Sequence, residues 1–401
     1  MGGKGNKWVC AAVPAVLLHS CIGSVYCWSM LKGDIAEAMG VTTSSIEMAF
    51  SLAIFFLGMS AAFGGRLVER DVTLSSRLST LCFCAGLVGA ALSVQHKSVW
   101  ALFLTYGVLM GVGLGLGYLS PVKTLMIWFA RHKGLATGIA ISGFGLSKVL
   151  FSPFIQWCGA HYGIQATLYS MAAISVALMG LSSALLRKPD NWVETVDPFS
   201  IRESWKIITD KGYIKIWICF YLNITCGLAL IAYEKELGKL TGVANIALLA
   251  SATAVFNTLG RLGYATLSDV FKRDKAWIYV IVFATSVAAC LAPLAAMTMV
   301  AVVALLCVVN AGYGGGFSSL PVLLGNKFGM AKISTIHGFA LSAWAWAGLS
   351  GNQLANLIIN KLGMGYSTLI TVIGVLFLVS MAISLTLTDR CQGWIRKARK
   401  A

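Results

Sequence analysis

The sequence predicts an all-α integral membrane protein whose twelve transmembrane helices form two six-helix halves. Of its 401 residues, 58% are hydrophobic and 11% are charged, and the mean hydropathy is +0.79, which is far too apolar for a soluble domain of this size. Apolar runs recur along the chain, each long enough to cross a hydrocarbon core of about 30 Å. A weak internal repeat divides these runs into two sets of six.

The hydropathy pattern gives each span in order. The first apolar run is too long for a signal peptide and lacks a small-residue cleavage site, so we interpret it as a span. The predicted spans are 8–32, 45–67, 78–95, 99–121, 135–157, 164–186, 214–233, 245–268, 277–296, 298–324, 335–360 and 366–388. The chain is therefore predicted to consist of an N-terminal bundle, 1–186, a cytoplasmic central loop, 187–213, and a C-terminal bundle, 214–401, with a short basic cytoplasmic tail.

Basic residues in the loops predict the orientation, because Lys and Arg are retained on the cytoplasmic side. Of the 31 Lys and Arg residues, 23 fall on the side of the N-terminus and five on the opposite side, which leaves Lys123 at the end of a span and Lys148 and Arg261 within spans. Both termini are thus predicted to be cytoplasmic, in a multi-pass protein of the cell membrane. The same distribution accounts for the net charge of +16 without a nucleic-acid partner.

The sequence contains no motif that indicates an enzyme, a cofactor or a metal site. The eleven cysteines lie mostly in apolar segments and lack paired spacing in loops, so neither a disulfide framework nor a zinc site is expected. No pairing of a nucleophile with a base is evident, and the glycine-rich stretches follow no strand. The expected partners are the lipid bilayer and a small solute, and the protein is expected to be monomeric.

The two halves match at an offset of 200 residues. The pairs include Glu69 with Asp269, Gly115 with Gly315, Pro121 with Pro321, Gly138 with Gly338 and Ser142 with Ser342. They fall in equivalent loops and spans, a pattern typical of secondary transporters whose substrate site lies between the halves near the midplane. Glycines 111, 113, 115 and 117 and Gly314 to Gly316 are expected to let helices approach closely.

The loop after the second span, "GGRLVERD", resembles the G-x-L-x-D-R signature of the major facilitator superfamily. Gly65, Glu69 and Arg70 stand at matching positions, although the later glycine of the signature is a valine here. The second half repeats the loop as "ATLSDVFKR", with Asp269 and Arg273. The resemblance implies that these loops gate the cytoplasmic face, and an ordinary charged loop is the alternative.

Longer stretches resemble one family within that superfamily, the oxalate/formate antiporter family, which is related to the monocarboxylate carriers. They are "GSVYCWSMLKGDI", "YGVLMGVGLGLGYLSPVKTLMIWFARHKGLATGIAISGFGLS" and "GRLGYATLSD". The resemblance covers nearly the whole chain. It implies the major facilitator fold and a carrier of small carboxylate anions, such as formate, lactate or pyruvate.

The resemblance also implies a set of substrate-binding residues. Tyr26, Tyr118 and Phe144 match aromatic positions that line the cavity in this family, and Arg261 matches its arginine on the eighth span. Trp344 departs from the pattern, because oxalate carriers of the family have a lysine on the eleventh span. A second fixed cation for a dianion is therefore missing there, which makes oxalate less favoured.

Arg261 is the principal candidate for binding an anion. It precedes Asp269 by eight residues, which places it about 12 Å from the loop and close to the middle of the membrane. A charge at this depth costs about 2.5 kcal/mol or more, so it normally faces a cavity or a partner. The paired N–H groups of a guanidinium match the two oxygens of a carboxylate. A structural ion pair with an acid on another span is the alternative.

The two lysines within spans have different interpretations. Lys148 lies one turn beyond Phe144 and is a candidate for the second cation, with a lysine reaching toward the outer headgroups as the alternative. Lys123 is close to the predicted end of its span, so we expect its ammonium group to reach the cytoplasmic interface.

Asn257, one turn before Arg261, stands where monocarboxylate carriers place an aspartate implicated in proton coupling. Asparagine does not titrate, which leaves exchange, facilitated diffusion, or a proton carried by Glu47 or His337. We interpret His337 as a packed or interfacial histidine.

Aromatic side chains on several spans are candidates for a cage around a small flat anion, with packing between helices as the alternative. They are Tyr26, Trp28, Tyr118, Phe144, Trp344 and Trp346. The sequence as a whole predicts a carrier that works by alternating access. The alternatives are a transporter-like carboxylate sensor and an exporter of another small organic solute.

Overall fold

Long helices joined by short turns make up the computed structural model, which describes residues 6–192, 201–271, 274–330 and 333–388. Short π-helical or 3₁₀ segments interrupt α1 and α4. The helices are α1 (Trp8–Met39), α2 (Thr43–Arg70), α3 (Val72–Gln95), α4 (Val99–Trp128), α5 (Lys133–Leu185), α6 (Ile201–Ile208), α7 (Lys211–Ala232), α8 (Glu234–Leu240), α9 (Ile246–Leu267), α10 (Trp277–Ala295), α11 (Met299–Phe328), α12 (Ile333–Asn356) and α13 (Tyr366–Leu385).

The predicted number of spans is confirmed. In the described part of the chain, nine helices are long and apolar enough to cross a membrane, counting α5 once. Gly163 divides α5 into two helices, because its φ of 79° belongs to the left-handed region that glycine tolerates. This break lies between the predicted spans 135–157 and 164–186. With α5 counted as two helices and with α9 and α12 added, the helices correspond one to one with the twelve predicted spans.

Capping side chains explain why two helices begin earlier than hydropathy predicts. The Asp71 carboxylate accepts hydrogen bonds from the backbone N–H groups of Thr73 and Leu74, at 2.9 and 3.0 Å, so α3 starts at Val72 and not near residue 78. Asp210 caps α7 in the same way, and α7 starts at Lys211. A cap is polar, so a hydropathy profile does not detect it.

The predicted central loop, 187–213, contains a short helix. This is α6, and α7 already begins before the predicted end of the loop. Residues 193–200 of the loop and the predicted basic tail from residue 389 onward lie outside the described residues.

The chain divides into two compact units. The first comprises Met1–Pro198 and Met330–Ala345, and the second comprises Phe199–Gly329 and Trp346–Ala401. The first part of α12 therefore groups with the N-terminal half of the chain, which hydropathy does not predict.

Close helix packing in the first unit depends on the alternating glycines of α4. A Cβ atom at Gly111 would lie 2.9 Å from the Ala53 carbonyl oxygen of α2, and one at Gly113 would lie 2.5 Å from the Phe83 nitrogen of α3. Glycines at alternate positions thus face α2 and α3 in turn, which lets both helices approach α4.

The second unit repeats this packing. There α9 packs against α11, and α10 packs against α11 and α13, as α2 packs against α4 in the first unit and α3 packs against α4 and α5. A Cβ atom at Gly315 would clash with the Tyr264 side chain of α9, as one at Gly115 would clash with Ser60 of α2. The offset of 200 residues in the sequence therefore relates equivalent helix contacts.

Candidate substrate-binding site

Arg261 is buried inside the second unit, on α9. Its side chain passes Gly314 of α11, where a Cβ atom would lie 3.0 Å from the Arg261 Cγ atom. The residue is 1% exposed, and its Nε–H donates a hydrogen bond of 2.9 Å to the Asn257 side-chain oxygen. Asn257 lies one turn earlier on the same helix, so a neutral amide orients the guanidinium group.

One aromatic ring lies beside the guanidinium, and rings from two helices pack against that ring. The Arg261 Cζ atom lies 5.3 Å from the centre of the Phe317 ring, a distance that permits a cation–π interaction. Phe317 packs against Tyr313 on α11 and against Phe220 on α7, with ring centres 5.1 and 4.9 Å apart. The guanidinium therefore lies beside a packed ring in a buried position, where its interaction with an anion is screened little by water.

Four of the predicted aromatic residues form one cluster in the first unit. The Phe144 ring on α5 packs edge-on against Tyr26 on α1, at 5.1 Å, and against Tyr118 on α4, at 6.0 Å. Trp344 on α12 packs edge-on against both Tyr118 and Phe144, at 5.8 Å in each case. The structure thus brings together Tyr26, Tyr118, Phe144 and Trp344, and we refer to these four as the aromatic cluster.

A short 3₁₀ segment within α1 positions the aromatic cluster. The segment Gly23–Cys27 is a 3₁₀ helix, and it carries Tyr26. A Cβ atom at Gly23 would lie 2.5 Å from the Phe144 carbonyl oxygen and 2.7 Å from the Ser147 Cβ atom, so glycine permits the close approach of α1 and α5. The other two tryptophans named as cage candidates lie elsewhere, because Trp28 packs against Tyr106 and Trp346 is 52% exposed.

Two buried histidines flank the aromatic cluster. His19 on α1 packs against Tyr118 and Phe144, with ring centres 5.3 and 6.4 Å apart. His337 on α12 packs against Tyr118 at 5.9 Å and is 1% exposed, so it is a packed histidine and not an interfacial one. Sequence reasoning missed His19, whose signal is one titratable residue inside the apolar run "VLLHSCIG".

Lys148 lies on α5, one turn beyond Phe144, and is half-buried. Among the described residues it makes no hydrogen bond or ion pair, and it is close enough to the Cys27 thiol to interact with it electrostatically. Its role as the second cation stays a prediction.

A buried ion pair holds residues 65–70, whose gating role stays a prediction. The Lys123 ammonium group pairs with the Glu69 carboxylate, and its residue is 2% exposed. The expectation that Lys123 reaches the interface is therefore wrong. Its partner is 54 positions away in the sequence, and hydropathy gives no information about such a contact.

Glu69 also binds the start of α12. Its other carboxylate oxygen accepts hydrogen bonds from the backbone N–H groups of Ser334 and Thr335, at 2.5 and 3.4 Å. These N–H groups belong to the first turn of a helix, where a negative charge is favourable. Gly65 permits the contact, because a Cβ atom there would lie 2.6 Å from the Ser334 carbonyl oxygen. Arg70 is exposed.

The corresponding loop of the second half contains a local ion pair. The Asp269 carboxylate lies 3.6 Å from the Lys275 ammonium group, which also donates to the Ser268 carbonyl oxygen at 2.5 Å. Burial lowers the pKa of Lys275, and Asp269 opposes this effect. Arg273 lies outside the described residues. In the part of the chain that the structure describes, no group of His, Cys, Asp and Glu side chains could hold a metal ion.

These features define a polytopic helical protein with two similarly packed halves, the architecture of a secondary transporter. The chain belongs to the Major Facilitator Superfamily, whose family model matches residues 15–352. The Escherichia coli protein FucP, a transporter of this superfamily crystallised in the outward conformation, has the same fold, with a TM-score of 0.72, 12% identity, and coverage of 94% of this chain and 98% of that one.

Curated relatives confirm the predicted family resemblance. The oxalate:formate antiporter of Oxalobacter formigenes is 27% identical over 381 residues, which is 92% of this chain and 89% of the relative. Monocarboxylate transporter 13 of Rattus norvegicus is 25% identical over 393 residues, which is 91% of this chain and 87% of the relative. The chain is thus a multi-pass membrane protein, and its fold and relatives are those of transporters.

Proposed function

We propose that the protein carries small carboxylate anions across the membrane by alternating access, as an exchanger or a facilitator. The observation that carries this proposal is the buried guanidinium of Arg261, oriented by a neutral side chain and packed against an aromatic ring. Relatives that are named for oxalate, formate and monocarboxylates support the same class of substrate.

The chemistry of the Arg261 environment suits a carboxylate better than a cation or a neutral drug. With Nε bound to Asn257, the two terminal nitrogens of the guanidinium carry four further N–H donors. Two of these donors in parallel match the two oxygens of a carboxylate. A cationic solute would meet a fixed like charge in surroundings of low dielectric constant, which is unfavourable.

A monocarboxylate fits the first unit better than oxalate does. Trp344 stands where the oxalate carriers of the family have a lysine, and it is 1% exposed and packed against Tyr118 and Phe144. An uncharged ring at this position gives no fixed charge for a second carboxylate. Aromatic walls suit a small anion with one charge, such as formate, lactate or pyruvate.

The orientation and cellular membrane are part of the proposal. The excess of basic residues in one set of loops supports cytoplasmic termini. The membrane is proposed to be the plasma or inner membrane of the cell. The gating loops that contain Glu69 and Asp269 would then lie on the cytoplasmic side. There the contact of Glu69 with the first turn of α12 would stabilise one state of an alternating-access cycle.

Selectivity among carboxylates tests the proposal. Purified protein in liposomes preloaded with unlabelled pyruvate should exchange labelled formate, lactate or pyruvate, and excess oxalate should compete weakly. A sensor would bind these anions without exchange. Strong competition by oxalate, equal to that of the monocarboxylates, would contradict the role assigned to Trp344.

Lys148 supplies a separate test of the second cation. We expect Lys148→Ala to weaken the apparent affinity for the anion roughly two- to tenfold, because a half-exposed charge contributes about 0.5 to 1.5 kcal/mol. The concentration dependence of counterflow measures this change. Lys239→Ala, which removes an exposed lysine of α8, is the matched control. Equal affinities for the two variants would exclude Lys148 from the binding site.

A further inference from the structure

We propose that His19 is a proton-binding site of the carrier, held as an imidazolium beside the aromatic cluster, and that its positive charge is needed for anion transport. The inference rests on the proposed function and goes beyond it, because it assigns a titratable cation to the first unit. Neither the family resemblance nor the hydropathy pattern indicates this residue.

The hydrogen-bond geometry of His19 favours the imidazolium, in which both ring nitrogens are protonated. His19 is 0% exposed, and each of its ring nitrogens faces a backbone carbonyl oxygen. Nδ1 faces the Ala140 oxygen of α5, and Nε2 lies 3.1 Å from the Tyr118 oxygen of α4. A neutral imidazole donates from one nitrogen and presents a lone pair at the other, and that lone pair would repel a carbonyl oxygen. An imidazolium donates from both nitrogens and satisfies both contacts.

Aromatic rings around His19 also favour a cation. The Tyr118 ring lies 5.3 Å away, within the range of a cation–π interaction. Tyr118 and Phe144 both contact His19, and both contact Trp344 as well. The charge of His19 is therefore one ring away from Trp344.

The titratable side chains near His19 are consistent with a single protonated histidine beside the aromatic cluster. Tyr118 faces His19 from α4, and His337 from α12 contacts the same Tyr118 ring. In the described structure, the Nε2 atom of His337 is buried and makes no hydrogen bond. Because two positive charges on one ring would repel each other, the proton belongs on His19, which has two acceptors.

The lysines on α4 and α5 do not supply a positive charge beside His19. Lys123 on α4 pairs with Glu69 of α2, and Lys148 on α5 is half-buried beyond Phe144. The rate of transport should therefore depend on pH and should fall as the pH rises. Transport is present at acid pH, where His19 is charged, and it is lost as the pH rises and His19 releases its proton.

Counterflow at a series of pH values tests the requirement for the charge. Counterflow of labelled formate, with equal pH on both sides of the liposome, should decline for the wild type by up to about tenfold per pH unit once His19 titrates. His19→Gln should be slow at every pH and should lack this decline. His96→Gln, which replaces an exposed histidine, is the matched control and should keep the wild-type profile. A wild-type decline preserved in His19→Gln would overturn the proposal.

Nitrogen NMR of the purified wild type tests the protonation itself and requires no transport. In protein labelled with ¹⁵N-histidine, one of the five histidines should keep both ring nitrogens protonated into the neutral range, and its signal should disappear in His19→Gln. A His19 with one protonated nitrogen across the acid and neutral range would overturn the proposal. If the wild type moves no carboxylate, the proposed function fails, and this measurement still decides the state of His19.

Discussion

Arg261→Gln is expected to reduce carboxylate counterflow close to the level of protein-free liposomes at substrate concentrations well below those that saturate the wild type. Glutamine keeps a side-chain amide but removes the charge and the paired donors that match two carboxylate oxygens. A charge-assisted interaction of this kind contributes about 1.5 to 3 kcal/mol, which corresponds to roughly ten- to hundredfold in affinity. Counterflow over a range of substrate concentrations measures the loss.

Two further variants separate the charge from the geometry. Arg261→Lys keeps a positive charge without the planar fork, so it should retain part of the affinity. Arg77→Gln removes an exposed arginine from α3 and should transport as the wild type does. If Arg261→Gln transported normally while folding normally, Arg261 would be a structural residue and the proposed site would be wrong.

Glu69→Gln is expected to lower the thermal stability of the purified protein substantially. The substitution leaves the buried Lys123 ammonium group without its carboxylate partner and removes a charge from the first turn of α12. Loss of one partner of a buried ion pair costs about 3 to 5 kcal/mol. The unfolding temperature in detergent, followed by thiol exposure of the buried cysteines or by light scattering, measures the effect.

The ion pair can be distinguished from the helix contact by a double substitution. Glu69→Gln combined with Lys123→Met removes both charges and should recover much of the loss, because no unpaired charge is then buried. Glu47→Gln breaks an exposed pair with Lys32, 2.8 Å apart, and should change stability by less than about 1 kcal/mol. A Glu69→Gln protein as stable as the Glu47→Gln protein would contradict the importance given to the buried pair.

The sequence was sufficient to predict the twelve spans, because each helix must satisfy its own backbone groups in lipid and so produces a long apolar run. The residues at which the helices begin and end are less predictable from the sequence. Asp71 and Asp210 extend α3 and α7 beyond their apolar runs by capping them. Gly163 divides α5 into two helices, and its positive φ explains why a short connection suffices there.

In the candidate site, the sequence indicates single residues but does not predict the contacts between them. Arg261 was identifiable because a charge inside an apolar run is rare, and the structure places it in a buried position. Tyr26, Tyr118, Phe144 and Trp344 were named individually, whereas their mutual contacts depend on helix packing. Lys123 was misjudged because its partner is remote in the sequence. His19 was missed because its importance depends on two carbonyl groups, and a backbone acceptor has no sequence signature.

Counterflow of labelled pyruvate by the wild-type protein in liposomes tests the central claim most directly. We expect liposomes preloaded with unlabelled pyruvate to accumulate the label transiently above equilibrium, without any imposed proton or ion gradient. Preloaded liposomes that contain the Arg261→Gln protein should remain near the level of empty liposomes. Uptake by the wild type that is indistinguishable from that of protein-free liposomes, for pyruvate, formate and lactate alike, would contradict the assignment of the protein as a carboxylate carrier.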